Sequence, residues 1–377
     1  MMRYFIAALS IYLAQDCYAQ KKFTTEIRFP ANIDTRKVIM QYDNGKTVYP
    51  VATTFNENKA TISGTFYSKY VMLAVLYRKP SGAFYSNEYF LNEGSSSLVF
   101  AESKNGDTPA DPLDSCKLLN AIEIRKLPAA VKMRLFTAKE TSQLDEIMDY
   151  YDNKTNETNK DSVMQVMHER SGVLVKKQLE FVKKYNDQYY SFWVFKRNIS
   201  GTNFIKPDVL SKVFASFPAA VRNSFEGKET VRVMNGIVHA NKGLKAPAFS
   251  ANDITGVTIN TGNYRGKYIL LQFWASWCRP CLQEMPSIRK IRDNYSADRL
   301  EVISISIDSD SSAFAKAMGV HKINWTTIFD RQREIYTNYG GKPIPLIYLI
   351  NKEGVIVYSS EEDRPGVLVD LLSRSVK

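Results

Sequence analysis

The stretch from residue 272 to residue 281 reads Gln272-Phe273-Trp274-Ala275-Ser276-Trp277-Cys278-Arg279-Pro280-Cys281. It continues an apolar run that begins at Tyr268, and such a run is typical of a buried strand. Proline favours the first turn of a helix, so Pro280 predicts that a helix opens between the two cysteines. The sequence therefore places a Cys-x-x-Cys pair at a strand-to-helix junction, where such a pair indicates redox chemistry.

The two cysteines are predicted to have different tasks. Backbone N–H groups at a helix N-terminus favour a thiolate over a thiol, so Cys278 is the expected nucleophile, reachable by another disulfide. Cys281 lies three residues later beside Cys278 and is expected to resolve a mixed disulfide formed there. The fixed positive charge of Arg279 should also favour the thiolate and hold the pKa of Cys278 below that of a free cysteine.

Two other interpretations of the cysteine pair are weaker. A zinc site needs a second pair of Cys or His ligands, whereas the three histidines are scattered singly, at His168, His239 and His321. A static structural disulfide would need neither a helix start nor the flanking Trp277. We therefore predict no metal, and no cofactor other than the redox-active Cys278-Cys281 disulfide itself.

Strand and helix patterns alternate from this stretch to the C-terminus. Strands are predicted at 268–274, 301–307, 346–350 and 355–358, and helices at about 280–295, 311–318, 331–339 and 366–375. A polar, flexible segment around residues 241–247 separates them from the preceding chain. The pattern predicts an α/β domain over residues 243–377.

Specific motifs in this domain resemble those of the thioredoxin superfamily, in particular the ResA and TlpA-like reductases of bacterial cell envelopes. The motifs are Trp277-Cys278-x-Pro280-Cys281 with Glu284 and Pro286, Ala246-Pro247-x-Phe249, Gly266-Lys267, and Ile344-Pro345. The resemblance covers residues 243–377. It implies a thioredoxin-like fold and a thiol-disulfide oxidoreductase.

The resemblance also implies roles around the cysteines. Pro345 is expected to follow a cis peptide bond and lie against the cysteines, where the Ile344 backbone pairs with a substrate chain. Trp277, Arg279 and Pro280 are expected to shape the same surface. Where many thioredoxins carry a buried Asp, this chain has Gln272, which cannot accept a proton from Cys281. Glu284 is a candidate proton carrier, although a structural role at the helix start or with Arg289 is favoured.

The upstream chain divides into two predicted parts. Short strand-like segments fill Phe23 to Phe100, including a hairpin around Asp43-Asn44-Gly45, and predict a small β-sandwich domain over 20–106. Helical spacing and scarce glycines predict a helical region over 107–242, with the aromatic cluster at 189–195 in its core. Gly64-x-Phe66 and the segment 90–94 resemble the N-terminal regions of multidomain envelope oxidoreductases from Bacteroidetes-type bacteria.

Residues 1–19 have the layout of a secretory signal peptide, with Arg3, an uncharged run to Ala14 and a small residue at Ala19. The residues just before Cys17 are not the small, apolar residues that precede a lipidation site, so simple cleavage is expected. No stretch approaches the ~20 apolar residues that a membrane-spanning helix needs. With the resemblance, this predicts a protein exported to the periplasm or envelope of a Gram-negative, Bacteroidetes-type bacterium, without a transmembrane segment.

The expected partners are protein thiols and disulfides, together with an upstream electron donor. The net charge of +11 does not indicate nucleic acid, because the basic residues are spread among acidic ones. Reduction of disulfides in exported proteins is the leading function, although the direction depends on the reduction potential. A polypeptide- or ligand-binding envelope protein with an accessory redox domain is the alternative. A peroxidase is less favoured, because peroxiredoxins carry a Thr-x-x-Cys motif in place of this dithiol motif. The remaining cysteine, Cys116, is expected to be a buried structural thiol.

Overall fold

The computed structural model describes residues 20–51, 54–78, 84–101, 113–154, 160–363 and 365–376. The predicted signal peptide and the predicted boundary between residues 106 and 107 lie outside these ranges. The described chain has β-sheets first, then helices, then an α/β domain, which confirms the predicted fold class.

Two β-sheets form the N-terminal part. Their strands are β1 (Lys21–Arg28), β2 (Val38–Asp43), β3 (Val48–Val51), β4 (Lys59–Phe66), β5 (Val71–Arg78), β6 (Phe84–Leu91), β7 (Gly94–Phe100), β8 (Cys116–Leu119) and β9 (Ala121–Glu123). The sheet orders are β4-β1-β7-β8 and β3-β2-β5-β6-β9. Buried side chains of both sheets, such as Phe23 and Leu73, share one apolar core, as in a sandwich. The hairpin predicted around residues 43–45 joins β2 to β3.

The start of the predicted helical region is wrong for residues 116–123. These residues form β8 and β9, which pair with β7 and β6 and complete the two sheets. Asn120, with a φ of 51°, turns the chain between the two strands. Each strand is too short to show a period of its own and is held by a partner strand far earlier in the chain, so no local pattern reveals it.

Helices begin at Pro128. They are α1 (Pro128–Phe136), α2 (Ala138–Lys154), α3 (Lys160–Lys184), α4 (Tyr189–Val194), α5 (Pro207–Ala215), α6 (Ala219–Arg222) and α7 (Phe225–His239). In the described ranges, no helix is both long and apolar enough to cross a bilayer.

The aromatic cluster at 189–195 fills a core, as predicted. Phe192 and Phe195 are buried among the helices. Tyr189, Tyr190 and Trp193 pack both against this core and against a second apolar cluster on β5 and β6, where the Trp193 ring lies 5.7 Å from the ring of Phe90. These aromatic side chains therefore join the helical region to the β-sandwich.

The C-terminal domain is built on one five-stranded sheet of order β14-β13-β12-β15-β16. Its elements are β10 (Ser250–Asn252), β11 (Thr258–Asn260), β12 (Tyr268–Trp274), α8 (Arg279–Asn294), β13 (Leu300–Ser306), α9 (Ser311–Val320), β14 (Thr327–Phe329), α10 (Glu334–Asn338), β15 (Leu346–Ile350), β16 (Ile356–Ser359) and α11 (Pro365–Ser375). The central strand β12 is parallel to β13 and antiparallel to β15. All three are buried almost end to end, as strands covered on both faces are.

Helix α7 and the loop before β15 hold the helical region against the C-terminal domain. Gly236 of α7 lies so close to this loop that a Cβ atom there would be 2.4 Å from the Gly340 nitrogen. Lys342, which is fully buried, donates to the Ala240 carbonyl at 3.2 Å and pairs with Glu361 at 2.8 Å. Close backbone approach and a buried ion pair fix the position of this loop relative to both parts.

Candidate active site

The two cysteines meet at the first turn of α8. Cys278 occupies the N-cap position, and its Sγ accepts the backbone N–H of Cys281 at 3.3 Å. The Cys278 carbonyl accepts the N–H of Leu282 at 3.1 Å, and Pro280 lies within the first turn. The sulfur atoms of Cys278 and Cys281 form a disulfide bond, so the structure corresponds to the oxidised state of the pair.

The pair is less accessible than expected. Cys278 is 5% exposed and Cys281 is fully buried, whereas the adjacent Trp277 is 62% exposed. Attack on a disulfide sulfur needs only a narrow opening in line with the S–S bond, so small exposure does not exclude exchange. Since Cys278 alone of the two reaches solvent, the geometry favours Cys278 as the sulfur that meets a partner.

Pro345 lies at the same edge of the sheet as the cysteines. The Ile344-Pro345 peptide bond is cis, as predicted. Phe273, near the end of β12, is the register partner of Leu346 at the start of the antiparallel β15. The loop that leads to Cys278 and the proline that precedes β15 therefore leave the sheet side by side. Arg279 and Pro280 are exposed at the same junction.

Gln272 is fully buried beneath the site. Its Oε1 accepts a hydrogen bond from the Ser304 hydroxyl at 2.9 Å, and that hydroxyl accepts the indole N–H of Trp325 at 2.8 Å. A neutral amide held in this way cannot take up a proton. Proton transfer to or from the cysteines must therefore involve another group.

Glu284 is a carboxylic acid one helical turn beyond Cys281. Burial raises the pKa of this carboxyl to about 7, because the charged form is poorly solvated there. Within the described residues its buried Oε2 has no hydrogen-bond partner. The guanidinium of Arg289, proposed above as its ion-pair partner, donates instead to the backbone carbonyls of His321 and Lys322.

Asp308 is a site residue that the sequence analysis missed. Its fully buried carboxylate accepts the Ser276 backbone N–H at 2.9 Å and the Ser276 hydroxyl at 2.7 Å. It also accepts the Ser306 hydroxyl at 2.7 Å. Asp308 therefore fixes the loop two residues before Cys278. The sequence did carry a signal for Asp308, because it directly follows a buried strand. The ends of neighbouring parallel strands lie at one edge of a sheet, so this residue is placed near the end of β12.

The third cysteine lies apart from this site. Cys116 is half-buried in β8, and burial together with the negative charge of Glu123 raises the pKa of its thiol to about 12. The thiol stays protonated at neutral pH and is a poor nucleophile. In the part of the chain that the structure describes, no three His, Cys, Asp or Glu side chains are gathered as metal ligands.

Known proteins resemble part of this chain. The model of the AhpC/TSA family matches residues 243–359. The thiol-disulfide oxidoreductase ResA of Bacillus subtilis is 26% identical over 155 residues, which are 41% of this chain and 82% of that protein. The protein of the same name from Bacillus thuringiensis is 30% identical over 115 residues, and the chain spans 66% of its length and matches it over 30% of its own.

Solved structures resemble a similar share of this chain. The thioredoxin domain of a thiol-disulfide oxidoreductase from Bacteroides vulgatus is 25% identical and covers 36% of this chain and 99% of that domain, with a TM-score of 0.34. A thiol:disulfide interchange protein DsbE from Chlorobium tepidum, described as putative, is 27% identical over the same shares, with a TM-score of 0.34.

The sheet order, the dithiol at the start of α8 and the cis proline before β15 define a thioredoxin-like domain. Its similarity to the AhpC/TSA family and to the thiol-disulfide oxidoreductase ResA supports a thiol-disulfide oxidoreductase of the ResA/TlpA-like kind.

Replacement of Asp308 tests its hold on the active-site loop. Asp308→Asn removes one acceptor oxygen and leaves buried donors of Ser276 or Ser306 unsatisfied, which should cost about 1–3 kcal/mol of stability. Misplacement of the loop should also slow thiol-disulfide exchange by about an order of magnitude. Thermal unfolding and the rate of insulin reduction measure the two effects.

The matched control is Asp310→Asn, two residues along the chain. Asp310 is the exposed N-cap of α9 and contacts no active-site residue, and Asn caps helices as well as Asp. Asp310→Asn should leave both quantities almost unchanged. Equal behaviour of the two variants would contradict a positioning role for Asp308.

Proposed function

We propose that this protein is an exported oxidoreductase that reduces disulfide bonds of polypeptides through a Cys278-Cys281 dithiol-disulfide cycle. The observation that carries the proposal is the contact of Cys278 Sγ with the Cys281 N–H at the start of the 16-residue helix α8. A backbone N–H and a helix N-terminus both stabilise negative charge on that sulfur once the disulfide is reduced.

The cycle transfers two electrons from the dithiol to the substrate. The Cys278 thiolate attacks one sulfur of the substrate disulfide, that S–S bond breaks, and the first substrate thiolate leaves. Cys281, deprotonated, then attacks Cys278 Sγ in the mixed disulfide and releases the second substrate thiolate. The Cys278-Cys281 disulfide that results matches the bond in the structure. An upstream thiol donor must reduce it for the next turnover.

Glu284 is the proposed proton carrier for the second attack. Cys281 is buried, so its proton needs an acceptor within the protein, and Gln272 cannot serve. Glu284 lies on the same face of α8, one turn away, and its pKa of about 7 is suited to proton exchange at neutral pH. Its unpartnered Oε2 leaves the carboxyl free of a competing structural bond within the described residues.

The surface around Cys278 is proposed to receive the substrate chain. Trp277, Arg279 and Pro280 are exposed and flank Cys278 in the sequence, and the Ile344-Pro345 loop leaves the same edge of the sheet. The backbone of Ile344 would pair with the substrate. The proposed reaction needs no metal or cofactor at this surface, because the two sulfur atoms supply the redox chemistry.

The location follows from the same proposal. An envelope enzyme of a Gram-negative, Bacteroidetes-type bacterium would meet the disulfides of exported proteins in an oxidising compartment. The direction of the reaction depends on the reduction potential of the pair relative to its donor.

Serine variants of the cysteines test the cycle. Cys278→Ser should abolish reduction of insulin disulfides, because the attacking thiolate is lost. Cys281→Ser should still attack but should accumulate a mixed disulfide, which mass spectrometry of acid-quenched samples detects. Cys116→Ser is the matched control and should reduce insulin at the parent rate. A Cys278→Ser protein as active as the parent would refute the cycle.

Glu284→Gln tests the proton carrier. In the parent, the resolving step should accelerate with an apparent pKa of about 7 as the carboxyl ionises. The glutamine variant should lose this dependence and resolve at pH 8 about a hundredfold more slowly, at the lower end of general-base effects. Stopped-flow fluorescence of Trp277, next to the disulfide, follows the step. Glu353→Gln, at an exposed turn after β15, is the matched control.

The stability of the same variants has a predicted pH dependence. The pKa of Glu284 is raised on folding, so the folded state holds the proton more tightly than the unfolded state. Its contribution is fully present below the unfolded pKa and is lost as pH rises through about 7. Between pH 5 and pH 8, the free energy of unfolding should therefore fall more in the parent than in Glu284→Gln. An identical pH dependence of the free energy of unfolding in both proteins would contradict a raised pKa for Glu284.

A further inference from the structure

A cleft of about 290 Å³ lies where the helical region meets the loop before β15. The helical region supplies one wall, with His168 and the turn from Gly201 to Phe204. The C-terminal domain supplies the other, with Pro343, Pro345, Leu346, Ser360 and Glu361. Neither part of the chain forms this cleft alone.

The cleft lies at the same edge of the sheet as the cysteine pair. Pro345 and Leu346 line it, and Leu346 is the register partner of Phe273, from which β12 runs into the loop that carries Cys278. Neighbouring strands lie ~4.8 Å apart, so the strand that leads to Cys278 runs directly beside the strand whose first residue lines the cleft. A polypeptide whose cysteine meets Cys278 can place the residues beside that cysteine on this part of the surface.

The aromatic wall of the cleft is held in place. The Phe204 ring packs on α3 at Gly172, where a Cβ atom would lie 2.8 Å from its Cδ1. The His168 ring lies one turn earlier on α3, with its centroid 4.8 Å from that of Phe204. A ring seated on a glycine has little freedom to move. The cleft is therefore formed before any partner arrives.

The opposite wall is fixed and electrically balanced. Glu361 pairs with the buried Lys342 at 2.8 Å, and Lys342 also donates to the helical region at Ala240. Because Lys342 already neutralises the charge of Glu361, the cleft does not require a cationic ligand. Of the other residues of this wall, Pro343, Pro345 and Leu346 are apolar, and the Ser360 hydroxyl accepts the Ile347 N–H.

We propose that this cleft is a specificity subsite that receives a large apolar side chain, adjacent to the attacked cysteine, of a polypeptide disulfide. The inference rests on the proposed function and names its substrate class. A volume near the lower limit of ligand pockets, ~300 Å³, suits one large side chain with part of its backbone. The helical region thereby selects substrates for the thioredoxin-like domain.

The test compares two disulfide-linked peptide dimers. Each half is a hexapeptide with one cysteine, flanked on both sides by phenylalanine in one dimer and by serine in the other. The pre-reduced full-length protein, in excess, reduces each dimer in a single turnover, and released peptide thiol is measured by chromatography. The parent should reduce the phenylalanine dimer at least about fivefold faster, as loss of one anchoring side chain would require.

Variants locate the preference in the cleft. Phe204→Ala should bring the ratio of the two rates close to one, because the aromatic wall is gone. Gly172→Ala keeps every lining side chain but displaces the Phe204 ring, so it should lower the ratio even if Phe204→Ala folds poorly. Phe214→Ala is the matched control, a half-buried aromatic residue of the same core that does not line the cleft, and it should keep the parent ratio.

The outcomes separate the two claims. A parent that reduces neither the peptides nor 5,5′-dithiobis(2-nitrobenzoate) refutes the proposed function. A parent that reduces both dimers equally fast overturns the subsite alone. An unchanged ratio in Phe204→Ala and Gly172→Ala, including a case in which both rates fall together, also overturns it.

Discussion

The antiparallel pairing of β12 with β15 is the constraint on which the site depends. It places the end of one strand beside the start of the other, with Phe273 opposite Leu346. The loop to Cys278 and the loop with Pro345 therefore share one edge of the sheet. Helix α8 begins at that edge, so its first N–H groups point at the cysteine sulfur. A shift of register by one residue would reverse every side chain of β15 and separate these groups.

Buried polar groups around this edge keep the geometry fixed. Asp308 ties the loop before Cys278 to the end of β13, and Lys342 ties the loop before β15 to α7. Both are charged side chains with almost no exposure, and each is satisfied by hydrogen bonds or an ion pair. Glu284 differs, because burial raises its pKa and no described group pairs with its inner oxygen. The site thus combines rigid anchors with one carboxyl that can change its charge near neutral pH.

The parts of the structure that local sequence determines were predicted well. A buried strand, two cysteines and a proline lie within ten residues, so the strand-to-helix junction and the dithiol follow from pattern alone. Short strands such as β8 and β14 were not predicted, because distant partners hold them. The position of Asp308 after a buried strand was a signal, but its contact with Ser276 spans 32 residues and is not visible in the local sequence. The cleft beside Pro345 was also beyond prediction, because two separate parts of the chain form it.

The ionisation of Cys278 in the reduced protein shows directly whether the fold activates this sulfur. Thiolate absorbance at 240 nm, titrated from acid to alkaline pH with Cys278→Ser as the reference, gives the pKa of that thiol. The helix start, the Cys281 N–H and the neighbouring Arg279 predict a pKa clearly below the ~8.5 of a free cysteine. A Cys278 thiol that titrates at or above ~8.5 would show that the fold does not activate this sulfur.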